Sequence, residues 1–184
     1  MTNHEAMNLA VNCAQTLLQR DAASQGMGIR LLSAAPGCAR VGMTVRADMV
    51  QGHGTCHGGF LFALADSAFA FACNSYNEAT VAIGCSIDYI APARLGDTLT
   101  ADCIEQSRSG RTGNYDVRIE NQQGQLIPVF EFTVLLTEAT TSEVTQDLVY
   151  VPASPEYLRP LARIQPRQQR RHAAGRHRGA TGGG

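Results

Sequence analysis

A chain of 184 residues, 44% of them hydrophobic, is long enough to bury a sizeable core and fits one domain with extensions. Its apolar runs are broken by charge well short of the ~18 residues a membrane-spanning helix needs. Residues 1–5 carry no basic stretch, so no secretory signal is expected and a cytoplasmic location is the default. The net charge of −1 conceals an asymmetry: there is no lysine, eight arginines face sixteen acids up to Leu158, and seven arginines with no acid follow. Such a tail reads as a solvated, disordered terminus, with a nucleic acid or an anionic surface as the alternative partner. The six cysteines show no CxxC spacing, which removes support for a zinc site or a thioredoxin-like pair and leaves free thiols as the expectation.

Taken in order, Ala6, Leu9, Ala10, Cys13, Leu17 and Leu18 recur at helical spacing and predict a helix over residues 4–20, with Asn3 as its N-cap. Residues 22–28 read as a loop. Strands are predicted over residues 28–34 and 38–49 around a Pro36-Gly37 turn. In the second, Ala39, Val41, Met43, Val45 and Ala47 alternate with Arg40, Gly42, Thr44, Arg46 and Asp48, the period of a half-buried strand. Residues 49–59 then bring four glycines together with His53, Cys56 and His57. Residues 60–76, rich in Ala, Leu and Phe and free of Gly and Pro, predict a helix roughly 25 Å long. A helix apolar on nearly every side is buried on nearly every side. Four more strands follow: residues 80–91, a run from Gly96-Asp97 through Glu105, residues 114–120 and residues 126–138, with turns at 107–113 and 121–124. Strands joined by short turns form an antiparallel sheet, so the expectation is α+β, with the long helix lying in the curl of the sheet. Residues 1–140 form that domain; residues 141–184 are expected to be a linker and an Arg-rich, disordered tail.

A glycine loop leading into a helix suits negative charge. The first four N–H groups of a helix lack internal partners and carry the positive end of its dipole. The loop is neither a P-loop nor a dinucleotide fingerprint, so either Gly58 offers its amide to an oxyanion or the glycines serve a tight bend and close packing. Asp66 is the stronger anomaly. A carboxylate in an apolar helix must be paired, solvated or functional, and the functional reading is a general base or nucleophile. Asp66 lies eight residues beyond Gly58, roughly 12 Å along the helix, too far for both to grip one reacting group within a single chain. If both act on one substrate, a second copy must bring its Asp66 to the first copy's loop. His57 either orients a substrate carbonyl or caps the loop. Cys56 as a nucleophile has little to commend it, because adjacent Cys and His on a bend rarely face each other.

The runs GHGTCHGG, FALADSAFAFACNS and SIDYIAPARLGDTLTADC, in this order and spacing, resemble the PaaI-type branch of the hotdog-fold acyl-CoA thioesterases of phenylacetate catabolism. The resemblance spans residues 6–138. It implies a hotdog, an antiparallel sheet wrapped around a long helix, and hydrolysis of an acyl-CoA thioester to free acid and CoA with no metal or other cofactor. It further implies that the Gly58 amide polarises the thioester carbonyl beside His57, that Asp66 of the partner subunit is general base or nucleophile, and that Gly59, Gln51 and Ser67 belong to the substrate site. Dimers paired into tetramers and aryl-acetyl-CoA substrates, phenylacetyl-CoA and its ring-hydroxylated forms among them, complete the expectation. Gln51 stands where the family usually has Asn, which bears on rate or substrate preference. Two other readings compete: a non-catalytic acyl-CoA sensor whose basic tail contacts a partner or nucleic acid, and a hotdog hydratase or dehydratase using His57 and Asp66 as an acid/base pair.

Overall fold

The structure, a computed structural model, describes residues 1–136. The last two residues of the final predicted strand, the linker and the Arg-rich tail lie outside the described residues.

The chain begins with α1 (Asn3–Arg20). Its N-cap is Thr2 rather than Asn3, because Thr2 and Glu5 close a capping box, each side chain taking the other's backbone N–H. The stretch expected to be a loop holds a second, six-residue helix, α2 (Ala22–Met27). Asp21 starts it by accepting the Ser24 N–H, and Gly28 at φ +75° ends it in the left-handed conformation. Next come β1 (Arg30–Ala35), β2 (Cys38–Thr44), α3 (Gly58–Cys73), β3 (Thr80–Tyr89), β4 (Thr98–Ser109), β5 (Thr112–Glu120) and β6 (Leu126–Leu136). The second strand stops five residues early. Thr44 pairs with Thr98, the first residue of β4, so the backbone beyond Val45 has no strand to bond and coils into a 3₁₀ turn at Ala47–Met49. Conversely, β4 and β5 run through residues read as turn and leave only Gly110 and Arg111 between them.

Every pairing is antiparallel and the sheet order is β1-β2-β4-β5-β6-β3. As expected, α3 lies across the sheet, with Leu64, Ala65, Ala68, Phe71 and Ala72 buried. Alanine at 65, 68 and 72 lets the helix approach the strands closely. Phe69 fills the space that remains, stacked on Phe132 at 4.4 Å and edge-on to Tyr115 at 5.5 Å. The six cysteines are free thiols. No helix among the described residues is long and apolar enough to cross a membrane.

Two exceptions to burial matter. On α3, Phe62 and Asp66 are exposed, one helical turn apart on the same side. At the sheet's end, β3 is exposed on both faces along most of its length, with Val81, Ile83 and Tyr89 at least half exposed and no strand beyond it among the described residues.

Candidate active site

The loop into α3 is held from below. Cys56 donates its N–H to the Ala93 carbonyl and His57 to that of Met49, both at 2.8 Å, and Met49 and Ala93 are buried. Gln51 and Thr55 close the loop above, backbone to backbone at 2.9 Å and side chain to side chain at 3.2 Å. Gly54 turns the corner at φ +74°.

At the helix start the glycines have separable reasons. His57 is the N-cap: its Nδ1 accepts the Gly59 N–H at 2.9 Å, so the ring proton is assigned to Nε2. A Cβ on residue 59 would sit 3.1 Å from that Nδ1, crowding the cap. A Cβ on residue 58 would meet the Tyr89 hydroxyl at 2.8 Å. Tyr89 reaches over from the end of β3 and donates to the Gly58 carbonyl at 3.3 Å. Gly59's amide is therefore committed to His57, whereas the Gly58 N–H has no acceptor among the described residues. In the first turn of α3 the Gly58 N–H is thus left without an acceptor, at the end of the helix where the dipole favours a negative oxygen.

Gly58 lines a groove of about 520 Å³, together with Gln51, His57, Leu61, Tyr89 and Pro92 among others. Asp66 is not part of its lining. Of the sequence-predicted site residues, the structure thus gathers Gly58, His57 and Gln51 around one groove, with Gly59 bound to His57 behind them. Ser67 is buried elsewhere, donating to the Ala63 carbonyl at 2.9 Å and lying 2.8 Å from the Ser24 hydroxyl. Asp66 stands alone on the exposed side of α3, with no hydrogen-bond partner among the described residues. Although its side chain reaches solvent, the protein crowded around its base raises the carboxyl pKa, and the negative charge of Asp21 adds to that. Cys56 is buried and its thiol is pushed up to about 11, chiefly by burial, so at neutral pH it is a thiol and no nucleophile. Tyr89 is the residue that reasoning from sequence missed; its only signal was its place in the Asp88-Tyr89-x-x-Pro92 strand exit.

A model of the thioesterase superfamily matches residues 53–128, a span that holds the loop from His53 onward, α3 and the Tyr89 exit. The acyl-coenzyme A thioesterase PaaI of Escherichia coli is 46% identical over 117 residues, covering 64% of this chain and 84% of that protein. The chain belongs to the thioesterase superfamily. Its fold is the hotdog that the resemblance implied. Among solved structures, this thioesterase chain matches the E. coli PaaI protein of the phenylacetic acid degradation operon with a TM-score of 0.72 at 40% identity, over 76% of this chain and 99% of that one. It matches the phenylacetic acid degradation protein PaaI of Thermus thermophilus, in a mutant form, with a TM-score of 0.61 at 42% identity, over 64% and 100%. A Streptococcus mutans protein solved bound to acetyl CoA matches with a TM-score of 0.58 at 28% identity, over 59% and 88%.

Proposed function

We propose that this protein is an acyl-CoA thioesterase that hydrolyses aryl-acetyl-CoA, phenylacetyl-CoA or its ring-hydroxylated forms, to free acid and CoA in phenylacetate degradation. The observation that carries the reading is the free Gly58 amide at the start of α3, open to a groove of the size a thioester needs. In support stand the similarity to the PaaI thioesterase of E. coli and the relative solved with acetyl CoA.

In this mechanism the thioester carbonyl lies in the groove with its oxygen on the Gly58 N–H, and Nε2–H of His57 lies beside it. Gln51, braced by Thr55, orients the incoming group from the loop side. Ser67 serves from beneath, fixing the helix rather than touching substrate. Asp66, as a carboxylate, takes a proton from water as the water attacks the carbonyl carbon. Negative charge collects on the carbonyl oxygen and meets the fixed N–H dipole. Collapse of the tetrahedral intermediate expels the CoA thiolate, and the proton held by Asp66 returns to sulfur.

The carboxylate comes from a second copy. Three features support a homodimer whose sites lie between chains: Asp66 lies off its own chain's groove, Phe62 beside it is exposed, and β3 offers an unpaired edge with apolar side chains on it. A two-fold axis then builds two equivalent sites. Pairs of dimers would form the tetramer, and the cytoplasm would be its location.

The experiment is thiol release from phenylacetyl-CoA by the purified protein, followed with a colorimetric thiol reagent. Wild-type protein turns the substrate over, and Asp66→Asn, folded, falls by orders of magnitude. Hydrolysis by Asp66→Asn near the wild-type rate would refute the assignment. Binding of acyl-CoA without turnover would favour the sensor reading.

A further inference from the structure

Asp21 has a place the hydrolytic scheme above does not use. It sits at the joint of two helices, donating its N–H to the Leu18 carbonyl at the end of α1 and capping α2 with its carboxylate. One carboxylate oxygen accepts the Ser24 N–H at 2.9 Å and the other accepts the Ser24 hydroxyl. Ser24 is buried to 1% exposure, and its oxygen lies 2.8 Å from Ser67 Oγ, itself 8% exposed. Since Ser24 gives its proton to Asp21, the Ser67 proton is shared between Ser24 and the Ala63 carbonyl. A continuous polar chain thus runs from Asp21 through two buried hydroxyls into α3, ending on the residue next to Asp66. Buried hydroxyls in such a chain hold their neighbours in one geometry, because any displacement strands a polar atom.

We propose that Asp21 is a positioning residue for the hydrolytic site: anchored to α3 through Ser24 and Ser67, it holds a second negative charge at a fixed place near Asp66 and so sets how strongly Asp66 takes a proton. The inference rests on the reading of Asp66 as the base. Among the described residues, Cys73 on α3 and Cys85 on β3 also feel the Asp66 charge. Cys73 is pushed up to about 12, mainly by burial, and the Cys85 thiol is raised too, so both are neutral at working pH. Burial raises the Asp66 carboxyl first, and Asp21 is the charged group that raises it further. A carboxylate with a like charge beside it holds its proton more tightly.

Asparagine and serine cap helices as well as aspartate does, so Asp21→Asn and Asp21→Ser remove the charge while keeping the start of α2. The test is kcat/KM for thiol release from phenylacetyl-CoA as a function of pH in wild type and both variants, with thermal melting to establish that each is folded. The expected result is an acid limb displaced to lower pH in both variants. A limb at the wild-type position in either folded variant overturns the inference. The parent reading fails separately, through hydrolysis that survives in Asp66→Asn. Inactive Asp66→Asn with an unmoved limb in Asp21→Asn removes only the role given to Asp21.

Discussion

His57 and Gly58 divide the labour at the start of α3, and the division predicts different losses. His57 acts on the backbone through Nδ1, so His57→Ala leaves the Gly59 N–H without its partner and is expected to cost about 1 kcal/mol of stability, read from denaturant unfolding. His57→Asn restores an acceptor and should recover that part while still lacking the imidazole. Gly58, as the proposed oxyanion donor, would act through its amide, and proline at the first position of a helix is tolerated because the N–H there has no internal partner. His57 is already extended, at φ −65° and ψ 134°, as the residue before a proline must be. The three atoms nearest a Cβ at this position all belong to the hydroxyl end of Tyr89, which can swing aside. Gly58→Pro should therefore fold and lose kcat by about 10²–10³-fold, the usual penalty for deleting one oxyanion donor. As the proposed base, Asp66 should set the pH dependence. A base must be ionised to act, and its pKa is raised, first by the protein around it and then by Asp21. Activity should accordingly fall away, as pH is lowered, above the ordinary carboxylate range, and a limb at or below that range would contradict the assignment.

At the scale of elements, α3 is what every other part serves, and Phe69 is its anchor. Phe69→Ala opens a cavity between Phe132 and Tyr115 and should destabilise the fold by about 3–5 kcal/mol in chemical denaturation, with no strand or helix able to close the gap. The long helix and the six strands were legible because alternation and apolar density are local signals. What escaped has local reasons too. The helix begins at Gly58 rather than Phe60 because a cap and a sheet packed beneath it outweigh the poor helical propensity of two glycines. It ends at Cys73, three residues early, where the Asn74 side chain bonds the Ala70 carbonyl and the Thr80 backbone and turns the chain toward β3. The alternation that continued through Val45 and Ala47 promised a strand, yet a strand needs a neighbour, and β4 begins too late to be one. α2 was hidden by Gly26 and its short length; the Asp21 cap three residues before Ser24 was its trace in the sequence. Residue types and spacing singled out Gly58, His57 and Asp66 as candidates, whereas Tyr89 was out of reach, since its contact with Gly58 bridges 31 positions and depends on how β3 lies against the helix.

The whole molecule asks for a second copy. An edge strand with side chains exposed on both faces is a liability for a lone chain. Ile83, which bulges out of the β3–β6 register and is 58% exposed, marks the middle of that edge. Ile83→Arg should convert the protein to a monomer in analytical ultracentrifugation, keep its circular dichroism, and abolish hydrolysis although neither Gly58 nor Asp66 is altered. An active monomer would show that the chain completes its own site. The geometry of α3 makes the same point more sharply, because eight residues of helix separate the amide from the carboxylate. Mixing decides it. Asp66→Asn chains keep a sound Gly58, and Gly58→Pro chains keep a sound Asp66. When the two inactive proteins are unfolded together and refolded, half the dimers should be mixed and each mixed dimer should hold one intact site of two, giving roughly a quarter of wild-type thiol release. Recovery near that level is the predicted result, and a mixture as inactive as its parents, with mixed dimers demonstrably formed, would contradict the shared site.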